Sequence, residues 1–158
     1  MFIRHLTLLA GLLGAAASPA IAQPAVGFQP FDERIQSQFR FNSNIVEPRY
    51  EAIRTERAWR EIWDRATTGS APPRPQIDFE REMLLLAAMG SRSSGGYTIR
   101  IVSVRETRHA LVVSVVRNLL GPRCGAIAAV TEPADIVRVR ATAKRLRWVF
   151  RDVRRPCS

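Results

Sequence analysis

Met83-Leu-Leu-Leu-Ala-Ala-Met89, then Gly90-Ser-Arg-Ser-Ser-Gly-Gly96, then Tyr97-Thr-Ile-Arg-Ile-Val-Ser-Val104 is the stretch that decides the fold. Side chains alternate faces along a strand, so the unbroken apolar run Met83–Met89 reads as a strand buried on both sides. Tyr97–Val104 alternates and reads as a strand with one wet face. The two are expected to form a hairpin. Its tip, Gly90 to Gly96, carries three glycines and three serines around Arg92, a composition suited to sharp backbone angles and to close approach by another surface.

The beginning of the chain predicts a compartment. Arg4 and His5 precede an apolar segment, Leu6 to Ala17, and Ala20-Ile21-Ala22 has the form of a cleavage site, so residues 1–22 read as a secretory signal peptide. That segment falls short of the roughly 20 residues a membrane span needs, and no span is expected. A periplasmic or secreted location follows. Without residues 1–22 the chain keeps 23 basic residues against 14 acidic ones, all of the basic ones arginine except Lys144. Such a balance favours anionic partners, which outside the cytoplasm means lipopolysaccharide, anionic lipid or acidic protein rather than nucleic acid. A genome rich in G and C would also produce the arginine bias. Cys124 and Cys157, a lone even pair in an oxidising compartment, are expected as a disulfide. Closing that loop would stabilise the fold by about 3–4 kcal/mol.

Outward from the central stretch, residues 23–34 read as a flexible leader and 35–158 as a single domain. Ile35 to Val46, where Phe39 and Phe41 alternate, supports a weak edge strand, and Arg49 to Arg54 a short one. Thr55 can cap a helix in which Trp59, Ile62, Trp63 and Ala66 share one face. Three prolines and a glycine in 67–75 end it. Further strands are expected at Leu111–Val116, Ala126–Val130, Ile136–Arg140 and Leu146–Phe150. The fold class predicted is α+β, mainly β: an antiparallel sandwich or barrel-like sheet with one amphipathic helix packed on it.

No catalytic constellation emerges. Beyond residue 22 the one histidine, His109, falls in a predicted turn beside Arg105 and Arg108, without the partners a nucleophile or a metal site draws on. Glu80 and Glu82, or Asp32 and Glu33, form no cleft pattern. The glycine-rich tip joins strand to strand and lacks the lysine and following helix of a phosphate loop. No enzyme, cofactor or metal is therefore expected. The tip reads either as a plain turn or as a recognition loop, with Ser91, Arg92, Ser93, Ser94, Gly95, Gly96 and Tyr97 as the partner-binding residues.

Ala58-Trp59 with Trp63, Asp78-Phe79 after Pro75, Met83-Leu84-Leu85, Gly90 with Gly95-Gly96-Tyr97, Ile99 and Ile101, and Thr131, Pro133 and Ile136-Val137 together resemble the PrcB-like C-terminal domain family, named for a subunit of a secreted bacterial protease complex. The resemblance runs over roughly residues 50–151. Ser94 departs from it where the family tends to carry threonine. The resemblance implies a non-catalytic exported domain that assembles, stabilises or restrains a protease, with a protease or envelope protein as partner. The alternative is an envelope-surface protein whose Arg145, Arg147, Arg151, Arg154 and Arg155 meet lipopolysaccharide or anionic lipid.

Overall fold

The computed structural model describes residues 26–67 and 71–156. Residues 1–22, read as a signal peptide, and Cys157 lie outside the described residues. The elements, in order, are β1 (Gln29–Pro30), α1 (Glu33–Arg40), β2 (Arg49–Ile53), α2 (Glu56–Ala66), β3 (Glu82–Ala88), β4 (Thr98–Glu106), β5 (Ala110–Leu120), β6 (Ala134–Arg140) and β7 (Arg145–Arg155). They make two sheets, ordered β1-β6-β3-β2 and β4-β5-β7.

β3 is the hub, and its apolar run explains why. Leu84, Leu86 and Ala88 point into a core shared with Trp59, Ile62 and Trp63 of α2 and with Ile35 and Phe39 of α1. Met83, Leu85, Ala87 and Met89 point into a second core with Ile99, Ile101, Val104, Leu111, Val113 and Val115 of the other sheet. The strand is therefore sandwiched between a helical layer and a second sheet, and only an unbroken apolar sequence meets both. The fold is α+β and mainly β, two stacked sheets without closure into a barrel.

This arrangement changes the expected hairpin. β3 pairs with β2 on one edge and β6 on the other, both antiparallel. Its edges are thus full, and β4 pairs instead with β5 in the facing sheet. Gly90–Tyr97 is consequently a crossing from one sheet to the other rather than a hairpin tip. The second sheet is also mixed, because β7 runs parallel to β5 from Ala110↔Arg145 to Leu120↔Arg155. A chain that leaves β5, visits β6 in the other sheet and returns can only add its strand in that direction.

Two further stretches differ from their sequence reading. Glu33–Arg40 is a helix, capped by Asp32, whose side chain accepts from Ile35 N–H at 3.1 Å. Phe39 sits one turn beyond Ile35, both are buried, and Gln36 Nε2 donates to the Ile136 carbonyl at 2.8 Å, docking the helix on β6. The alternation of Phe39 and Phe41 that suggested a strand is accidental, since Phe41 is exposed. In 23–34, read as a flexible leader, the described residues are held. Val26 N–H donates to Val104 O at 2.9 Å, β1 pairs with β6, and Phe31 is buried beside Trp59. The helix α2 forms as its pattern dictates, with Thr55 Oγ1 accepting from Ala58 N–H at 3.2 Å.

Candidate interaction site

Strand directions decide which loops meet. β3 runs towards one end of the sandwich and β4 leaves it; β5 returns there, β6 departs, and β2 begins there. The segments 41–48, 89–97 and 121–133 therefore share that end, and backbone hydrogen bonds interleave them. Ser91 N–H donates to Val46 O at 2.9 Å, and Arg92 and Thr131 exchange bonds of 2.8 and 3.0 Å. Gly95 N–H donates to Ile127 O at 3.1 Å, and Glu132 N–H to Phe41 O at 2.7 Å. Side chains add to this: Thr131 Oγ1 donates to Ser94 O at 3.1 Å and Ser91 Oγ to Glu132 at 3.2 Å. Backbone groups of Ser91, Arg92, Ser94 and Gly95 thus each find a partner in a neighbouring loop, so the end is built as one unit.

The structure divides the seven residues proposed from sequence. Ser91, Ser93 and Gly96 are exposed, Ser94 is half-buried and Gly95 is buried. Arg92 folds back, with Nη2 donating to Met89 O at 2.7 Å and its guanidinium over the Tyr97 ring at 5.8 Å. Tyr97 packs against the inter-sheet core. These two brace the loop from beneath. Below them, a pocket of about 300 Å³ also takes in Arg117, Asp152 and Arg154. Arg117 forks onto Asp152 at 2.7 and 3.0 Å, and that hydrogen bonding holds its pKa above the usual guanidinium value.

The outward surface comes from residues sequence reasoning did not single out. Phe41, Val46, Ile127 and Val130 are 60%, 59%, 71% and 63% exposed, and all four sit on the three interleaved loops. Ala126–Val130, expected as a strand, is an irregular exposed loop that presents five apolar residues in a row. Its Ile127 side chain rests on Gly95, where an added Cβ would come within 2.6 Å of Cγ1. The available signal was the absence of any polar alternation between Gly125 and Pro133: such a run must be buried on both faces or exposed on purpose.

Cys124 lies at the base of this loop. No described cysteine is free, and Cys124 Sγ is 3.3 Å from the carbonyl of Arg155, two residues before Cys157. His109 lies at the opposite end, exposed in the β4–β5 turn, far from the loop cluster. No helix among the described residues is long and apolar enough to cross a membrane.

Asp135 binds the two sheets together. Its buried carboxylate accepts from Ile101 N–H at 2.7 Å, across from β6 to β4. Burial raises its pKa, against the opposing pull of that hydrogen bond and of Arg100 and Arg40. The folded protein therefore holds this proton more tightly than the unfolded chain. The group's contribution to stability is full below its ordinary value of 3.8 and is lost as pH rises through the folded value. Asp135→Asn keeps an acceptor and removes the buried charge. It is expected to match or exceed wild-type stability at neutral pH and to flatten the pH dependence above 4. Asp135→Ala strands the Ile101 N–H and is expected to cost about 1–3 kcal/mol. Urea midpoints across pH decide this; an Asn variant as unstable as the Ala variant would refute it. Glu106, by contrast, is held below the usual carboxylate range by its hydrogen bond to Lys144.

The class these features define is an α+β sandwich with a loop-built end. Residues 83–140, from β3 to the end of β6, match the family model described as PrcB C-terminal, which supports a PrcB C-terminal-like domain over that part of the chain. The match contains two of the three interleaved loops. No curated protein and no solved structure matches the chain.

Proposed function

We propose that this is an exported, non-catalytic interaction domain that docks a protein partner, a protease or a protein that accompanies one, through the end formed by residues 41–48, 91–97 and 126–130. One observation carries the reading: four large apolar side chains stand exposed on loops whose backbones are bound to one another. Ordered apolar groups in water are characteristic of surfaces that another protein covers. The PrcB C-terminal family suggests a protease-associated domain, and supports the choice of partner. The roles within the site also follow. Ile127, Val130, Phe41 and Val46 make contact, Ser91, Ser93 and Gly96 line the approach, and Arg92 and Tyr97 hold the platform. A Cys124–Cys157 disulfide would tether the base of the Ala126–Val130 loop to the end of β7, where the approach of Cys124 to Arg155 already brings the two segments together.

The test uses a variant that changes two largely exposed side chains. Affinity recovery from the exported fraction, followed by mass spectrometry, is expected to yield a protease or a protease-bound protein with the wild type. Ile127→Asp combined with Val130→Asp should lose that partner by about a hundredfold while keeping the thermal midpoint, as apolar hot spots at an interface centre do. Equal recovery by both proteins would refute the site.

A further inference from the structure

A second surface lies on the opposite side of β4–β5–β7 from the core, and no other layer covers it among the described residues. The register places its outward residues in rows. Arg105, Val112 and Arg147 form one, Ser103, Ser114 and Val149 the next, and Arg100, Val116 and Arg151 the third. A bulge at Ile101/Ser103 turns Val102 outward beside the middle row, where it is exposed. Arg145 extends the face by one more level. Four residues along β7 separate Arg147 from Arg151, about 13 Å, and three strands span about 10 Å. The result is a rectangle with valines through its middle and an arginine at each corner.

Charge on this face is of one sign. The acidic residues of the same three strands are engaged elsewhere, Asp152 with Arg117 and Glu106 with Lys144 at 2.8 Å. Arg100 feels the buried Asp135 carboxylate, whereas Arg105, Arg145, Arg147 and Arg151 form no ion pair with any described carboxylate. The arginines of the C-terminal strand thus divide by face: Arg145, Arg147, Arg151 and, at its far end, Arg155 lie on this side, and Arg154 belongs to the pocket under the loop end.

We propose that this face seats the protein on an anionic phospholipid bilayer. Valines exposed between arginine pairs suit an interface where apolar groups enter the boundary region and guanidinium groups meet phosphates. Arginine stems can lie along the valines while their heads reach outward. A single sign of charge around an apolar middle fits an anionic headgroup layer, and the surface is separate from the loop end, so one does not depend on the other. Charged side chains on β7 would also keep a long edge strand from pairing with another chain, a purely protective role.

The test is co-sedimentation of the protein without residues 1–22, which keeps every described contact, with vesicles of phosphatidylcholine alone or mixed with phosphatidylglycerol. Binding is expected only to the anionic vesicles, and to fall when salt rises from about 0.05 M to about 0.5 M. Arg147→Glu with Arg151→Glu should weaken it at least about tenfold. Arg34→Glu with Arg60→Glu, an equal change of net charge on the helices, should leave it within about twofold. Glutamate still guards the edge strand, so loss with the first pair alone separates lipid contact from edge protection. No sedimentation at low salt, equal loss with both pairs, or undiminished binding by the first pair would each overturn the proposal.

Discussion

Trp59→Ala is expected to remove a large part of the protein's stability, about 3–5 kcal/mol. Trp59 is fully buried between Phe31 and Phe39, stacked at 6.0 and 6.2 Å, with the Trp63 ring edge-on at 5.4 Å. Its indole N–H donates to the carbonyl of Pro75 at 2.9 Å, which fastens the connector after α2 onto the helix. Truncation removes the transfer free energy of the ring, opens a cavity that three rigid aromatic neighbours cannot fill, and strands a carbonyl. Losses of this kind run to about 3–5 kcal/mol, against a total stability of about 5–15 kcal/mol for a single domain. The urea midpoint should drop by more than about 1 M. Trp59→Phe, which keeps a six-membered ring but loses the pyrrole part of the indole with its N–H, should fall between Trp59→Ala and the wild type. A midpoint for Trp59→Ala within a few tenths of a molar of wild type would mean that the helical layer does not unfold with the sheets.

Gly90→Val should be the most damaging change at the loop end. Gly90 has φ +74, in the left-handed region that side chains with a branched Cβ rarely enter, at about 1–2 kcal/mol. A Cβ there would also lie 2.8 Å from Val46 O and 2.9 Å from Pro48 N. Both are backbone atoms, so relief requires moving the segment that leads directly into β2. The expected loss is about 2–4 kcal/mol, with partner recovery falling alongside because Ser91 N–H can no longer reach Val46 O. Gly125→Val is the matched control, since nothing lies within 4 Å of its added Cβ. Indistinguishable melting of the two variants would show that the Gly90 turn is not what fixes the loops.

Particular residues show how far the sequence carried. The double burial of Met83–Met89 and the tryptophan face of α2 were legible because each is a local pattern, an unbroken apolar run between two layers and a helical stripe against one. The hairpin was not, since a strand wanted on both edges and both faces leaves its successor nowhere to pair, and that competition is invisible locally. Glu33–Arg40 escaped for a related reason: in eight residues its helical face amounts to Ile35, Gln36 and Phe39, and the polar Gln36 conceals the spacing. At the site, the Gly90–Tyr97 segment was recognisable by composition, while the apolar residues beside it lie 37 to 49 positions from Gly90. Only the strand directions bring Phe41, Val46, Ile127 and Val130 to the same end.

The parallel pairing of β5 with β7 bears on the order in which the fold can be made. β5 and β4 are joined by a three-residue turn and can meet early, but the other edge of β5 stays open until residues 145–155 have been synthesised. Until then Tyr50 of β2 lacks Trp148 and Phe150, which clasp it at 5.8 and 4.7 Å and join the two sheets along that side. Closing so distant a contact is slow compared with making a hairpin. The sandwich therefore stays open along β5 until the C-terminal strand arrives, and its closure is expected among the last steps of folding.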